Sequence, residues 1–347
     1  MATKWLRRLG TKRSGFRYAD EMGRLVRDRR ALERIDALRI PPAWRDVHIA
    51  QSPRNHIQAW GFDARNRKQY RYNDRAVERR ELRKYYRMRQ LAKSLPKMRA
   101  LLRSDAARRD LSKQTVAATV LRLISESFCR VGGERYAREN GTYGVTTLRK
   151  KHVAIEGDCV VLSYLGKSNK HQRQVVVSRE LAKLVARQLK APGARLFRYR
   201  NADGGWCDLT ARDVNNYVHV RLGPQFSAKD FRTWGGTLRA ATVLAELGRA
   251  HNERDAKRNV ALAMRLVSSE LGNTPTICRK SYVHPMVVAR YLDEGDMIAL
   301  PAARRTASDR GQAHSPEERA LIAFLDRHFP ERRRRPRRDE EDARRAA

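Results

Sequence analysis

Tyrosine, arginine and lysine are the residue types in this chain that are candidates for cleaving a phosphodiester without a metal. The sequence contains no HExxH motif, no paired aspartates of the two-metal kind and no GxxxxGK[ST] loop, so it gives no support for metal-assisted cleavage or for ATP use. A tyrosine nucleophile, arginines that bind non-bridging oxygens and a lysine that protonates a leaving alkoxide would suit metal-free phosphodiester transfer. We therefore expect no metal and no cofactor.

The charge of the chain predicts a polyanionic partner. Lys and Arg number 75 against 38 Asp and Glu, which gives a formal net charge of +37 over 347 residues. These basic residues are spread along the whole chain and do not form one short polybasic anchor for a membrane. Nucleic acid is the expected partner. A non-catalytic architectural DNA-binding protein would explain the charge equally well.

The sequence also predicts a cytoplasmic, nucleoid-associated protein. Residues 1–13 are basic and lack an apolar core, and no stretch approaches the roughly 18 apolar residues of a membrane span. The four cysteines form no CxxC pair, so neither a zinc site nor a disulfide framework is indicated. They are Cys129, Cys159, Cys207 and Cys278.

The length and the patterning predict two domains and a tail. Residues 44–72 alternate short apolar pieces with turn residues, which is typical of a small β-rich unit, and residues 75–97 form a charged, glycine-free stretch expected to be a solvated or DNA-facing helix. The predicted boundaries are 1–90 for an N-terminal DNA-binding domain, 91–310 for a catalytic domain and 311–347 for a basic, partly disordered tail. Within that tail, residues 321–325 could form one short amphipathic helix, and Arg332–Arg335 is expected to contact phosphates nonspecifically or to remain solvated.

The second domain is predicted to be mainly helical with a β-hairpin insert, so the fold class is α+β. Apolar residues at helical spacing predict a helix over 111–129 that delivers Arg130 at its end, and Lys167 falls at the tip of a hairpin between strands 159–165 and 174–177. Further helices are predicted over 179–190, 236–247 and 254–271. Gly272 is expected to cap the last of them.

Two blocks in the middle of the chain resemble the poxvirus and bacterial type IB DNA topoisomerases. Residues 128–136, with the sequence FCRVGGERY, are similar to the block that supplies the family's first catalytic arginine, which implies this role for Arg130 and a DNA contact for Tyr136. The sequence YLGK at 164–167 resembles the family's Gly-Lys turn. The resemblance implies that Lys167 is the general acid that expels the 5′-hydroxyl.

Two later blocks extend the resemblance in the same order as in the family. Residues 229–235 are similar to the second arginine block and imply that Arg232 binds the phosphate. Residues 272–282 match the terminal block and imply that Tyr282 is the nucleophile, that Lys280 contacts DNA and that Asn273 binds the phosphate. Asn273 stands where better-known viral and eukaryotic relatives carry histidine. Because an amide can donate a hydrogen bond but cannot act as an acid, we hypothesise a purely hydrogen-bonding role there.

A segment of the first domain resembles the family's Lys-Gln-Tyr strand, which enters the major groove. Strand alternation predicts its glutamine and second arginine on one face and its two tyrosines on the other. An ordinary edge strand blunted by basic residues is the alternative. The DNA-contacting residues implied are Arg67, Lys68, Gln69, Tyr70, Arg71 and Tyr72.

Taken together, the resemblance implies an enzyme that forms a clamp around double-stranded DNA. Tyr282 would form a 3′-phosphotyrosyl link, the free end would rotate to release supercoils, and religation would need no ATP. One active site is enough for this chemistry, so a monomer is expected. A tyrosine site-specific recombinase is the nearest alternative, but such enzymes typically carry His-x-x-Arg where this chain has Lys229 three residues before Arg232.

Overall fold

The computed structural model describes residues 3–300 and 313–329. They divide into two units, Met1–Lys84 and Tyr85–Ala347. Within the described ranges no helix is long and apolar enough to cross a membrane.

The first unit is a five-stranded antiparallel sheet with one helix. The strands are β1 (Trp5–Thr11), β2 (Gly15–Ala19), β3 (Arg45–Ala50), β4 (Ile57–Phe62) and β5 (Lys68–Tyr72), and the helix is α1 (Arg29–Ala37). The strand order is β2-β1-β3-β4-β5, so β5 is an edge strand. Ile35 of α1 packs with Leu6, Val47 and Ile49 in a small core. The β-rich prediction is confirmed, and the sheet also includes β1 and β2, which the sequence analysis did not identify.

The helix α2 (Asp74–Ala107) occupies the charged stretch after β5. The prediction of a helix over 75–97 is confirmed. The expectation that this helix is solvated is wrong for the part that belongs to the second unit. Met88, Leu91, Leu95, Met98 and Leu102 are all buried there. These residues recur three or four positions apart, so arginines and lysines lie on the outer face of a helix whose inner face belongs to the core.

The remaining elements of the second unit are mainly helical. The helices are α3 (Lys113–Ser127), α4 (Glu134–Asn140), α5 (Arg179–Leu189), α6 (Ala211–Leu222), α7 (Ala228–Leu247), α8 (Glu253–Leu271), α9 (Pro275–Ser281), α10 (Pro285–Glu294) and α11 (Pro316–His328). The strands are β6 (Val153–Glu156), β7 (Cys159–Gly166), β8 (Lys170–Val177), β9 (Arg198–Arg200) and β10 (Trp206–Asp208). The predicted hairpin is therefore part of a three-stranded sheet, β6-β7-β8, and β9 and β10 form a second, two-stranded sheet.

Helix α11 changes the interpretation of the C-terminal segment. Leu321, Phe324 and Leu325 are buried in the same core as α3 and α7. The stretch 311–347 therefore contains a core helix and is not a tail throughout its length. Residues 330–347, with the Arg332–Arg335 cluster, lie outside the described residues.

Candidate active site

Arg130 is fixed by the backbone that follows α3. The helix ends at Ser127, and Phe128 adopts a left-handed conformation with φ 52°. The chain then runs beside residues 144–146, where Val145 N donates to Arg130 O at 2.8 Å. Gly144 is required for this close approach, because a Cβ there would lie 2.6 Å from Cα of Gly132. Arg130 thus lies three residues beyond the helix, and not at its end as predicted.

Arg232 lies on the first turns of α7 and is only 4% exposed. Asp230 closes the N-terminus of this helix by accepting hydrogen bonds from Ser227 N (2.8 Å) and Ser227 Oγ (2.9 Å). Gly235 lets α7 approach Phe128, since a Cβ at that position would lie 2.3 Å from the phenyl ring. Arg232 donates to the carbonyl oxygen of Phe128, so the two arginine-bearing segments are in direct contact.

The C-terminus of α8 brings the two guanidinium groups together. Arg232 Nη2 donates to Leu271 O at 2.9 Å, and Arg130 donates to Leu271 O at 3.4 Å and to Gly272 O at 3.1 Å. Gly272 caps the helix in the left-handed conformation with φ 61°, as predicted. Carbonyl oxygens at a helix C-terminus carry partial negative charge, so this end of α8 attracts both cations.

Tyr282 follows α9 directly and is held by contacts of its backbone. Its N–H donates to Cys278 O at 2.9 Å, and its carbonyl oxygen accepts from Thr237 Oγ1 at 3.1 Å. Gly236 makes room for it, because a Cβ there would lie 3.0 Å from Tyr282 O and 3.2 Å from its Cβ. The half-buried phenol therefore sits against α7, the helix that carries Arg232.

The two arginines determine the electrostatics of the tyrosine. Cζ of Arg232 lies 5.1 Å from the centroid of the Tyr282 ring. Burial alone would raise the pKa of Tyr282, but Arg232 and Arg130 outweigh it and hold the pKa below its ordinary value. A lowered phenol pKa increases the fraction of phenolate, which is the nucleophilic form.

Asn273 is oriented by Arg130. Its Oδ1 accepts a hydrogen bond from Arg130 Nη2, and its backbone N–H donates to Ser268 O at 3.0 Å. Asn273 Nδ2 and Arg232 Nε are both buried and form no hydrogen bond of normal geometry among the described residues, although Asn273 interacts with the Cys278 thiol and Arg232 with the Tyr282 phenol. Buried donors are rarely left unpaired, so two such groups beside Tyr282 indicate a site for an acceptor.

Lys167 lies at the hairpin tip, as predicted, in a single 3₁₀ turn between β7 and β8. Its side chain is exposed. In the described part of the chain, no hydrogen bond or ion pair joins it to the other four predicted catalytic residues. Strand β8 attaches the hairpin to the site instead, because Lys170, directly after the turn, donates from Nζ to Asn273 O at 3.1 Å and Gln174 Nε2 donates to Glu270 O at 2.7 Å.

Sequence reasoning missed three residues around this site. Lys170 and Thr237 each bind a backbone oxygen of a predicted site residue, and Tyr164 of β7 is buried next to Cys129. Burial and the neighbouring thiol raise the pKa of Tyr164, the opposite of the direction for Tyr282. Of these three residues, only Lys170 had a signal in the sequence, because it is a second lysine three positions after Lys167. The other two contacts depend on tertiary packing.

The predicted DNA-contacting residues of the first unit lie on both faces of β5. Tyr70 and Tyr72 are exposed and stack with ring centroids 5.9 Å apart, and Lys68 Nζ lies 3.7 Å from the centroid of the Trp60 ring. On the opposite face, Gln69 donates to Asp63 at 2.9 Å and Arg71 to Arg39 O at 2.7 Å. The alternation of side chains is as predicted.

The last predicted DNA contacts are dispersed. Arg67 forms an ion pair of 2.7 Å with Asp63 at the β4–β5 turn. Tyr136 on α4 is 62% exposed, and Lys280 is exposed on α9, two residues before Tyr282. The described residues contain no group of three or more His, Cys, Asp or Glu side chains arranged to hold a metal ion.

The chain is similar to known proteins over most of its length. The family described as eukaryotic DNA topoisomerase I, catalytic core, matches residues 67–302, and the bacterial DNA topoisomerase IB N-terminal domain matches residues 15–63. A mimivirus (Acanthamoeba polyphaga mimivirus) protein named DNA topoisomerase 1B is 35% identical over 259 residues, covering 73% of this chain and 77% of the mimivirus protein.

More distant similarity extends to poxviruses and to a recombinase. The DNA topoisomerase 1B of vaccinia virus (strain Copenhagen) is 21% identical over 279 residues, covering 77% of this chain and 84% of the viral protein. A solved structure of the XerH site-specific recombinase bound to its difH substrate is 16% identical and covers 54% of this chain and 47% of that one, with a TM-score of 0.34. A TM-score this low bears on neither the fold nor the activity of the present chain.

Proposed function

Because the chain belongs to the type IB DNA topoisomerase family, and is therefore a DNA-binding enzyme of that class, we propose that Tyr282 is its nucleophile. The observation that carries this assignment is the pair of buried donors without a hydrogen bond of normal geometry, Arg232 Nε and Asn273 Nδ2, next to a phenol of lowered pKa. A DNA phosphate supplies the acceptor that both donors lack. The proposed overall reaction is relaxation of supercoiled DNA without ATP.

In the proposed cleavage step, the Tyr282 phenolate, which has lost its proton to solvent, attacks the phosphorus, and the bond from phosphorus to the 5′-oxygen breaks. Arg130, Arg232 and Asn273 donate hydrogen bonds to the non-bridging oxygens as negative charge develops on them. Lys167 gives a proton to the departing 5′-oxygen. One end of the cleaved strand then carries a 3′-phosphotyrosyl link, and the other end carries a 5′-hydroxyl group. Religation is the reverse, with the 5′-hydroxyl as nucleophile and the phenolate as leaving group.

Lys167 is proposed to act from the tip of its hairpin. The Lys167 side chain is exposed, and Lys170, which follows the same turn, anchors the hairpin to Asn273 O. The acid and the phosphate-binding amide are thus carried by connected segments. The exposed side chains of Lys68, Tyr70 and Tyr72 are proposed to contact the duplex from the first unit.

Asn273 is proposed to bind the phosphate through Nδ2 alone. Replacement by alanine removes this donor and is expected to slow single-turnover cleavage about 100-fold, the usual effect of losing one such donor. Asn273→His keeps an N–H donor and is expected to cleave much faster than Asn273→Ala, whereas Asn273→Asp places an acceptor against the phosphate and is expected to be slower than both. An alanine variant that cleaves as fast as the unmodified protein would show that the amide has no role in the reaction.

The proposed activity can be tested with supercoiled plasmid in the presence of EDTA. We expect a ladder of relaxed topoisomers without ATP or added metal. A non-catalytic architectural protein would give only a mobility shift, and this result would overturn the proposal. All five proposed catalytic residues belong to one copy of the chain, so a monomer is the proposed active form, and the relaxation rate is expected to rise linearly with enzyme concentration.

A further inference from the structure

Helix α11 lies outside residues 67–302, the part of the chain that matches the topoisomerase catalytic core. It is nevertheless built into the second unit. Leu321 and Leu325 are fully buried, and Ser315 begins the helix with a capping box in which Glu318 participates. Burial of this apolar face fixes the helix against its neighbours.

A buried carboxylate joins α11 to α7. Glu318 is 3% exposed and accepts two hydrogen bonds from Arg99, at 2.7 and 2.9 Å, and one from Trp234 Nε1 at 3.4 Å. Trp234 follows Arg232 by two residues on α7. Burial would raise the pKa of Glu318, but the hydrogen bonds from Arg99 outweigh burial and lower it, so the side chain remains an anion. This ion pair ties α11 to α2, and the hydrogen bond from Trp234 ties it to α7, two residues after Arg232.

The residue that ends α11 reaches the peptide that follows the nucleophile. The ring of Phe329 lies 4.7 Å from the His284 ring in an edge-to-face arrangement, and Phe329 O accepts from Arg89 Nη1 at 2.9 Å. His284 is 1% exposed and lies two residues after Tyr282.

The same short segment is held from two other sides. Thr237 of α7 donates to Tyr282 O at 3.1 Å and accepts from His284 N at 3.1 Å. Tyr85 of α2 donates from its hydroxyl group to Val283 O at 3.0 Å, and its ring lies 4.4 Å from the His284 ring. Helices α7 and α2 therefore fix the backbone of residues 282–284, and Phe329 packs against the His284 ring from the end of α11.

We propose that α11 and Phe329 form a C-terminal brace that positions Tyr282 for attack. Phe329 packs against His284, and Glu318 holds α7, so both ends of the brace act on elements that carry catalytic residues. Neither residue touches the phosphate; both are positioning residues. The proposal rests on the assignment of Tyr282 as the nucleophile. Attack requires the reacting atoms to be about 3–3.5 Å apart and aligned, so a small displacement of the tyrosine slows cleavage.

The test uses the full chain with Phe329→Ala and Phe329→Leu, and it measures single-turnover cleavage at saturating DNA. We expect the alanine variant to cleave about tenfold more slowly, with DNA affinity unchanged, because only the alignment of Tyr282 is lost. Phe329→Tyr keeps the ring and is expected to restore most of the rate. This rescue would not be expected if residue 329 contributed only to general stability.

Phe197→Leu provides the matched control, since Phe197 is fully buried in the same core but lies outside α11, directly before β9. It is expected to lower the melting temperature at least as much as Phe329→Leu while leaving the cleavage rate unchanged. Equal rates in all Phe329 variants, or equal losses in the Phe197 and Phe329 variants, would overturn the brace but leave Tyr282 as nucleophile. Cleavage that persists in Tyr282→Phe would overturn both proposals.

Discussion

Tyr282→Phe is expected to form no covalent adduct with DNA and to relax supercoiled plasmid at least about 10⁵-fold more slowly than the unmodified protein. Losses of this size are typical when a covalent nucleophile is removed. The substitution deletes a single oxygen and keeps the aromatic ring that lies 5.1 Å from Arg232. Binding of DNA by the cationic surface is therefore expected to be unchanged, and the whole effect falls on the chemical step.

The measurement is an SDS-stable adduct on a DNA duplex, followed over time in EDTA. Tyr291→Phe is the matched control. Tyr291 lies on α10, is 1% exposed, and donates from its hydroxyl group to Gly248 O at 2.7 Å. Loss of that hydroxyl group is expected to cost about 1 kcal/mol of folding stability and to leave adduct formation intact. An adduct of normal yield in Tyr282→Phe would mean that another residue is the nucleophile.

Tyr164 is the most informative competitor, since Arg130 and Arg232 influence both tyrosines. It is 6% exposed, and burial with the Cys129 thiol beside it raises the pKa of its phenol. Tyr282 is more accessible and has a lowered pKa. The two phenols share the same cations, but the pKa of Tyr164 is raised and its ring is buried, whereas the pKa of Tyr282 is lowered and its ring is only half-buried. We expect Tyr164→Phe to retain adduct formation.

Local patterns predicted the elements that position the site. The apolar spacing that predicted a helix over 111–129 corresponds to α3 (Lys113–Ser127), and Gly272 ends α8 in the left-handed conformation that glycine tolerates best. The turn residues after Leu165 placed Lys167 at a hairpin tip, where the structure has it. Such features depend on neighbours within a few residues, so one sequence contains enough information to identify them.

The contacts that assemble the site were not predictable in the same way. Arg130 and Arg232 meet at the carbonyl oxygens of α8, about 140 and 39 positions away along the chain. Backbone oxygens have no residue type, so no sequence pattern marks them as partners of these arginines. The many charged residues of α2 and of residues 316–328 led to the wrong expectation that these segments are solvated. A helix whose charged side chains lie on one face can still bury its opposite face.

The assignment of the site residues from resemblance remains a prediction, but the structure adds a physical reason for each arginine. Arg130 orients Asn273 through Oδ1, and Arg232 lies over the phenol ring. Their roles therefore differ. Loss of either arginine should raise the pKa of Tyr282, Arg232 having the larger effect, whereas only loss of Arg130 should disturb the amide donor.

Arg232→Ala is accordingly expected to slow cleavage about 10³-fold or more, as for other cations that stabilise a phosphoryl transition state. Its pH dependence should be distinctive. The arginine lowers the pKa of Tyr282 in the unmodified protein, so in the variant the phenol stays protonated to a higher pH. The defect is expected to be greatest at low pH and to narrow as the pH rises above the variant's own phenol pKa, which a series of single-turnover rates would measure.

Arg232→Lys separates charge from geometry in this experiment. Lysine keeps a positive charge near the phenol, but its single nitrogen cannot span Phe128 O, Leu271 O and the proposed phosphate as a planar guanidinium group can. We expect its pH profile to resemble that of the unmodified protein while its rate at high pH stays low. Arg232→Ala also removes the side-chain donor to Phe128 O and one of the two side-chain donors to Leu271 O, so melting temperatures must show that the variants are folded at the assay temperature. A defect of equal size at every pH would show that Arg232 binds the phosphate without activating Tyr282.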